Sequence, residues 1–346
     1  MSISNVEFLI LGLAAFVFSG LITAPIRLIA IKIGAMDSPN LERKTQKEPI
    51  PYFGGIAIGL SITIVTFASV LYSDRTHTTF PIVGYLLLPA IILGLMGLVD
   101  DLRGLPALPR LVFQTSGAVL LSIFMLNSHT VGTPLDSSLL TTLLSIFWIV
   151  GICNSINFFD NLDGGAAGTV TVSTIGIGII AYAQGQELVT ALCVVTAGAT
   201  IGFLLWNKSP AKIYMGDAGS LFLGVIVSVL SIRLNPGIAP PWQSMALLPI
   251  LLAVPILDTS IAVISRVKRG ISPLTGGRDH LSHRLIRRGF SKHATAYCLW
   301  TMQASFVACA LVIYKWTATL GSVVLIGTLI CWLAAFIWFW RIPSTD

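Results

Sequence analysis

The chain has 346 residues, of which 55% are hydrophobic and only 10% are charged, with a formal net charge of +6. Because a soluble domain carries about a quarter charged residues, these values exclude a water-soluble fold with an ordinary surface. The apolar residues come in blocks of about 20, the length that crosses a bilayer core. The sequence therefore predicts an all-α polytopic membrane protein that forms one integral membrane domain over 1–346.

Eleven apolar blocks follow one another along the chain and predict about 11 transmembrane helices. The first block is longer than the core of a signal peptide and has no basic residues before it, so we expect it to be a retained span. The predicted spans lie near 6–30, 52–72, 82–99, 111–127, 139–156, 166–183, 189–206, 218–234, 244–265, 294–314 and 319–340.

Basic residues divide the loops between the blocks into two sets. When alternate loops are assigned to opposite sides of the membrane, 18 of the 21 Lys and Arg fall on one side, and the other side has only Arg75, Arg233 and Lys315. The positive-inside rule makes the basic side cytoplasmic, with the N-terminus outside and the C-terminus inside. The same rule explains the net positive charge of the chain. We therefore expect membrane lipids, and not nucleic acid, as its partners.

Five acidic residues on the cytoplasmic side stand at the ends of apolar blocks: Asp100, Asp101, Asp160, Asp163 and Asp217. Acids at such positions are costly unless they are neutralised, and they are functional by default. Carboxylate oxygens suit a hard cation such as Mg²⁺. We expect a cation-binding or catalytic site, and the alternatives are solvated turns or, for Asp217, a helix cap.

Glycines and one tyrosine accompany these acids. Gly164 follows Asp163 directly, and Gly216 and Gly219 flank the start of the eighth block. Glycine permits a tight backbone, and a helix N-terminus exposes N–H groups that bind phosphate. Tyr214 either stacks on a base or sugar, or belongs to the aromatic belt at the membrane interface.

A basic segment with two histidines follows the ninth block. Arg278, His280, His283 and Arg284 lie within seven residues of one another. Arginines beside histidines suit phosphate oxygens, whereas the alternative is the ordinary positive charge of a cytoplasmic loop. Asp258, inside the ninth block, is a minor candidate that either pairs with a basic residue or lines the site.

Four motifs in this order resemble those of the polyprenyl-phosphate N-acetylhexosamine-1-phosphate transferases, of the glycosyltransferase family 4 type. They are Asp100-Asp101, Asn157–Gly164, Met215–Ser220 and His280–Leu285. The resemblance implies a bacterial cytoplasmic-membrane enzyme with its active site on the cytoplasmic face. Such an enzyme moves a phosphosugar from a UDP-sugar to undecaprenyl phosphate, or another polyprenyl phosphate, and releases UMP. It also implies Mg²⁺ as cofactor, with Mn²⁺ as a substitute, and it leaves a homodimer open.

Carried over residue by residue, the resemblance implies specific roles. Asp217 would be the first metal ligand and Asp163 the second, and Asp100 or Asp101 would deprotonate or position the lipid phosphate. Direct attack is favoured over a covalent aspartyl-phosphate. The catalytic candidates are Asp100, Asp101, Asp160, Asp163 and His283. The substrate-binding candidates are Lys47, Arg110, Asn157, Tyr214, Arg278, His280 and Arg284.

The histidine segment favours one branch of the family. His280-Leu281-Ser282-His283 is nearer to the His-x-His-His of enzymes that use UDP-N-acetylglucosamine or a related donor, with Ser282 where a histidine usually stands. The alternative is a phospho-N-acetylmuramoyl-pentapeptide transferase, which typically has three consecutive histidines and ten spans. Outside the family, the alternatives are a non-enzymatic scaffold or a cation-coupled transporter, whose ionisable groups would lie near the bilayer midplane.

Overall fold

The computed structural model describes residues 3–37, 48–72, 76–128, 131, 137–238, 241–316 and 319–343. These ranges are almost entirely helical, and a two-residue antiparallel hairpin precedes the second helix. The elements in chain order are α1 (Asn5–Lys32), β1 (Met36–Asp37), β2 (Ile50–Pro51), α2 (Gly54–Tyr72), α3 (Thr76–Arg103), α4 (Ala107–Asn127), α5 (Ser138–Phe159), α6 (Gly165–Ala183), α7 (Glu187–Asn207), α8 (Gly216–Arg233), α9 (Pro241–Leu251), α10 (Ala253–Lys268), α11 (Leu281–Arg287), α12 (Lys292–Lys315) and α13 (Thr319–Trp340).

The predicted all-α membrane architecture is confirmed. Within the described ranges, ten helices are long and apolar enough to cross a membrane, and the bent pair α9–α10 can supply an eleventh span. The largest boundary difference is at α3, which begins at Thr76 although the apolar block begins near 82. The helix continues beyond the apolar block at both ends, so Asp100 and Asp101 lie within the helix.

The predicted ninth span near 244–265 corresponds to two helices, α9 and α10, rather than one. The chain breaks at Leu252, and α9 and α10 meet there at an angle of 72°. Pro255 has no backbone N–H and leaves the carbonyl of Leu251, four residues earlier, without its helical donor. The break therefore has a local cause in the sequence, and it turns α10 away from the direction of α9.

The side chain of Gln303, from α12, occupies this break. Its amide nitrogen donates to the Leu251 carbonyl at 2.9 Å, and its amide oxygen accepts the Val254 N–H at 3.0 Å. Trp332, from α13, donates to the Ala253 carbonyl at 3.1 Å. A helix can break at membrane depth only when neighbouring groups satisfy the freed backbone, and these two side chains do so.

The core of the bundle centres on α8, which is buried at every position from 218 to 232. Helix α3 packs closely along it, because a Cβ at Gly97 would lie only 2.3 Å from the Asp217 carbonyl oxygen. Helix α2 approaches as closely, since a Cβ at Gly55 would lie 2.1 Å from the backbone nitrogen of Gly219. These contacts bring the acidic end of α3 against the acidic start of α8.

Candidate active site

One cavity of about 490 Å³ collects most of the predicted site residues. It lies where α3, α5 and α8 end or begin, beside the loop that precedes α11. The predicted residues that line it are Asp101, Arg110, Asn157, Asp160, Asp163, Tyr214, Asp217, His280 and His283. Its wall also contains residues that the sequence did not single out, among them Asp37, Tyr52, Phe158, Asn161, Arg266 and the segment Leu274, Thr275, Gly276 and Gly277.

Asp217 stands in the first turn of α8 and is held from two sides. Its Oδ1 accepts from the Asn157 side chain at 2.8 Å, and its Oδ2 accepts from Arg110 at 3.2 Å. Gly216 has φ of +73°, a conformation open to glycine at little cost, and a Cβ there would lie 2.6 Å from Asp101 Oδ2. The glycine thus lets α8 begin directly against α3.

Asp101 provides the cap that the start of α8 needs. Its Oδ1 accepts the Asp217 N–H at 2.9 Å and its Oδ2 accepts the Ala218 N–H at 3.1 Å. These are two of the N–H groups that have no partner inside the helix. The alternative in which Asp217 caps its own helix does not hold, because α8 has no side-chain cap from its own N-cap residue.

Asp100 has a different environment from its neighbour. It is 7% exposed, accepts the Leu105 N–H at 2.6 Å and forms an ion pair with Arg110. Asp100 is not among the residues that line the cavity, and Arg110 bridges it to Asp217. Of the two adjacent acids, Asp101 lines the cavity, whereas Asp100 lies behind the cavity wall and holds Arg110 in place.

The turn between α5 and α6 places Asp163 and Asp160 at the same cavity. Asp163 is 6% exposed, accepts the Ala211 N–H at 3.2 Å and is hydrogen-bonded to the Tyr214 hydroxyl. Burial, together with the negative charge of Asp163, raises the pKa of Tyr214. Gly164 permits this turn with φ of +70° and donates its N–H to the Asn207 side chain at 3.0 Å.

Asp160 is the least engaged acid in the cavity. Asp160 is the C-cap of α5 and directly follows Phe159, the last residue of that helix. Within the described part of the chain, its carboxylate makes no hydrogen bond. Burial first, and then the charges of Asp101 and Asp163, raise the pKa of Asp160 to about 7. A carboxylate so placed readily exchanges a proton or accepts a cation near neutral pH.

Both ring nitrogens of His280 have protein partners. Its Nδ1 lies 2.7 Å from Asp258 Oδ2, and its Nε2 lies 3.0 Å from an Arg266 nitrogen. Because a guanidinium only donates, Nε2 must accept and the proton must be on Nδ1. Asp258 is fully buried and also accepts the Leu281 N–H at 2.7 Å. The predicted pairing of Asp258 with a basic residue is therefore what the structure shows.

Arg266 links this histidine to Asp279. The Arg266 guanidinium donates to both Asp279 oxygens at 2.9 and 3.1 Å, and Arg269 donates to the same carboxylate at 3.0 Å. Burial would raise the pKa of Asp279, but the hydrogen bonds and charge of Arg266 outweigh it and hold the pKa below its usual value. The positive charge of Arg266 is thus largely neutralised by Asp279.

His283 faces the cavity from α11 and is only partly buried. Burial, and then the positive charges of neighbours including Arg278 and Arg287, lower the pKa of His283 to about 4. The imidazole is therefore neutral at neutral pH, and it presents one donor and one acceptor to whatever enters the cavity.

Two predicted substrate-binding residues that the structure describes, Arg278 and Arg284, are not brought to the cavity. Arg284 is 2% exposed and donates to the Asp279 carbonyl at 2.9 Å and to the Phe339 carbonyl at 3.0 Å, which ties α11 to the end of α13. Arg278 is not among the cavity-lining residues. Lys47 lies outside the described residues.

The residues missed in the sequence had weak signals. Asp37 ends β1 and Tyr52 directly follows β2 of the same hairpin. Asp37 lies in the loop between the first two apolar blocks, so the rule for acids at the ends of blocks did not select it. Arg266 is one of many basic residues on its side of the membrane, and no feature of the sequence distinguishes it. Phe158 lies under the Arg266 guanidinium at 5.3 Å, a contact that depends on the tertiary fold.

The donor set of the cavity fits Mg²⁺ shared between protein and substrate. Among the described residues, no three His, Cys, Asp or Glu side chains converge as a metal site. Mg²⁺ needs no such cage, because one or two carboxylates and substrate phosphates usually hold it. The described cavity wall contains five carboxylates and two arginines, Arg110 and Arg266, which are already paired with acids. A diphosphate would be repelled from this wall unless a cation entered with it.

Comparison with known proteins decides the family. The sequence model described as glycosyl transferase family 4 matches residues 83–235, which contain all five predicted acids. A Bacillus subtilis protein named probable undecaprenyl-phosphate N-acetylglucosaminyl 1-phosphate transferase is 32% identical to the chain, covering 87% of the chain and 83% of its own length. The chain belongs to glycosyl transferase family 4.

Other similar proteins carry two kinds of name. The decaprenyl-phosphate N-acetylglucosaminephosphotransferase of Mycobacterium tuberculosis is 31% identical, over 93% of the chain and 87% of its own length. The phospho-N-acetylmuramoyl-pentapeptide-transferase of Streptococcus equi subsp. equi is 30% identical, over 87% of the chain and 95% of its own length. The family resemblance inferred from the four motifs is confirmed.

Proposed function

We propose that this protein transfers GlcNAc-1-phosphate from UDP-GlcNAc to undecaprenyl phosphate, or another polyprenyl phosphate, as the first membrane step in the synthesis of a cell-envelope glycan. The observation that carries the proposal is the cavity that joins five carboxylates to His283 beside the ends of α3 and α5 and the start of α8. The names of the Bacillus and Mycobacterium relatives supply the sugar and the acceptor.

In the proposed reaction, an oxygen of the lipid phosphate attacks the sugar-bearing phosphorus of UDP-GlcNAc. The bond to the bridging oxygen breaks and UMP leaves with that oxygen, so that a polyprenyl-diphospho-GlcNAc remains in the membrane. A phosphate monoester has a second pKa near 6, so the attacking oxygen is already largely deprotonated at neutral pH. Direct attack therefore needs little base catalysis, which favours it over a covalent aspartyl-phosphate.

Mg²⁺, when bound, neutralises the diphosphate and the charge that develops on UMP. We assign Asp217 and Asp163 to hold it. Asn157 and Arg110 fix the two oxygens of Asp217, at 2.8 and 3.2 Å, so its carboxylate has one orientation. Mn²⁺ is expected to substitute, because it accepts the same oxygen ligands.

The other cavity residues would bind and orient the two substrates. Tyr214, which is tethered to Asp163, offers a ring for the uracil or the sugar. The neutral His283 can donate to a phosphate oxygen without competing with the cation. Asp160, with a pKa of about 7, is the acid most able to take a proton from a monoprotonated lipid phosphate. Lys47 and Arg278 remain proposed phosphate-binding residues.

The basic loops support a cytoplasmic active site. By the positive-inside rule, the side with 18 of the 21 Lys and Arg is cytoplasmic, and the acids of the cavity belong to that side. We therefore propose a protein of the bacterial cytoplasmic membrane with its N-terminus outside and its C-terminus inside, acting as one membrane domain. A homodimer is compatible with this arrangement.

One assay tests the proposal against its alternatives. The protein is purified into lipid nanodiscs with undecaprenyl phosphate and Mg²⁺, and UMP release is measured with UDP-GlcNAc, UDP-GalNAc and UDP-N-acetylmuramoyl-pentapeptide. We expect release with UDP-GlcNAc that EDTA abolishes and Mg²⁺ restores. Release with the pentapeptide donor alone would establish the function named for the Streptococcus relative. If no donor released UMP while cation uptake occurred in proteoliposomes, the protein would be a transporter.

A further inference from the structure

Ser282 and Asn161 form a hydrogen bond across the cavity wall. The Ser282 hydroxyl, 1% exposed on α11, donates to the amide oxygen of Asn161, a cavity-lining residue. The Asn161 amide nitrogen donates in turn to the Phe158 carbonyl at 2.6 Å. Neither residue has a place in the reaction described above, although one stands between Asp160 and Asp163 and the other between His280 and His283.

The orientation of this pair is determined by its chemistry. Phe158 lies in the last turn of α5, where carbonyl groups have no helical donor, and only the amide nitrogen of Asn161 can supply one. The amide oxygen must then face Ser282, whose hydroxyl is the donor. The resulting chain of two hydrogen bonds runs from α11 through the acidic turn to the end of α5.

A second contact between these two segments is less directional. Phe158, at the end of α5, and His280, just before α11, meet edge to face with ring centroids 6.2 Å apart. Ring contacts tolerate sliding, whereas a hydrogen bond weakens steeply once its length or angle departs from the optimum. The Asn161–Ser282 bond is therefore the contact best able to fix α11 against the acidic turn.

We propose that Asn161 and Ser282 are a positioning pair that sets the place of His283 relative to Asp160 and Asp163, and through it the binding of the UDP-sugar. The proposal rests on the proposed function. Ser282 is buried on α11 and directly precedes His283, so a hydrogen bond at Ser282 holds the segment that carries this histidine. In this chain the position thus serves to join two walls of the site.

A double-mutant cycle tests the pair. Ser282→Ala, Asn161→Ala and the double variant are compared with the native protein in the UMP-release assay, with KM for UDP-GlcNAc and kcat measured separately. We expect Ser282→Ala to lose about tenfold in kcat/KM, mainly through KM, because one neutral hydrogen bond is lost and its partner remains buried. Asn161→Ala should lose at least about tenfold, because it also removes the bond to the Phe158 carbonyl. The double variant should lose no more than Asn161→Ala alone, since that change has already removed the bond between the two residues. Ser282→Cys, a weaker donor of similar size, should lie between native and Ser282→Ala.

The control is Ser305→Ala, which removes an exposed hydroxyl that bonds only to the Thr301 carbonyl of its own helix, and it should leave kcat/KM unchanged. Two results would overturn the proposal: losses that multiply in the double variant, or a lower melting temperature with unchanged KM. The Ser282 series decides alone if the Asn161 variants do not fold. If the native protein releases no UMP with any donor, the proposed function itself has failed, which is distinct from either result.

Discussion

The Asp101 carboxylate accepts the backbone N–H of Asp217 at 2.9 Å, so a residue at the end of α3 caps the start of α8. The negative charge of Asp101 also lies at the positive end of the α8 dipole, where an anion is stabilised. Because both Asp101 oxygens accept N–H groups from α8, Asp101 is better suited to hold the proposed metal ligand in place than to remove a proton.

Replacement of Asp101 by Asn should therefore reduce activity without abolishing it. The amide oxygen can accept one of the two N–H groups, but the amide nitrogen will face the other. We expect kcat/KM to fall about 10- to 100-fold, with a higher Mg²⁺ concentration needed for half-maximal rate, as is usual when a group that orients a metal ligand is lost. The measurement is UMP release against Mg²⁺ concentration. Complete loss of activity at saturating Mg²⁺ would instead make Asp101 a reacting group.

The close approach of α3 and α8 predicts a large difference between two glycines of the same helix. Gly97→Ala would place a Cβ 2.3 Å from the Asp217 carbonyl, whereas Gly84→Ala meets no atom within 4 Å. We expect Gly97→Ala to cost about 1–3 kcal/mol in the free energy of unfolding and to displace Asp217. Gly84→Ala should be neutral or stabilising by up to about 1 kcal/mol.

Thermal unfolding of both glycine variants in the same detergent, followed by UMP release, checks this prediction. Equal melting temperatures and equal rates for the two variants would show that α3 and α8 do not meet at Gly97.

The break between α9 and α10 predicts a structural role for Gln303. Gln303→Leu keeps the size of the side chain but leaves the Leu251 carbonyl and the Val254 N–H without partners. Each buried unsatisfied group costs about 1–3 kcal/mol, so the free energy of unfolding should fall clearly. Since α10 carries Asp258 and Arg266, activity should fall as well. A variant at the exposed Thr301 of the same helix, Thr301→Val, serves as control, and stability equal to that control would contradict the prediction.

The lowered pKa of His283 predicts that it contributes to acid sensitivity. The pKa is about 4 in the folded protein and about 6.5 when unfolded, so between these values the unfolded chain binds the extra proton. Stability must then fall as the pH decreases from 6.5 towards 4. His283→Gln should show a smaller loss of melting temperature between pH 7.5 and pH 5 than the native protein. Asp160→Asn should have the opposite effect, because a raised carboxyl pKa adds stability as the pH falls through 7.

The membrane helices could be predicted from the sequence because apolar blocks of fixed length are a local property. The acids could be assigned to one site for the same reason, since each stands at the end of such a block. The break at Leu252 could not, although Pro255 is its local cause, because prolines are tolerated inside many membrane helices. Only the fold shows that Gln303, from α12, satisfies the freed backbone groups.

The different roles of adjacent residues could not be predicted from the sequence either. Asp100 and Asp101 are identical residues in nearly the same sequence context. On a helix their side chains point about 100° apart, and only Asp101 lines the cavity. Likewise Arg266, Arg278 and Arg284 are equivalent as basic residues. Their difference lies in burial and partners, which are set by helices distant in the chain.

We propose that Asp217 holds Mg²⁺ for the transfer reaction. The most direct measurement is the dependence of UMP release on Mg²⁺ for the native protein and for Asp217→Asn, in nanodiscs with undecaprenyl phosphate and UDP-GlcNAc. We predict that the native rate is saturable in Mg²⁺ and that Asp217→Asn, although folded with a comparable melting temperature, loses at least about 100-fold at every Mg²⁺ concentration. A folded Asp217→Asn protein with the native rate and the native Mg²⁺ dependence would contradict this account.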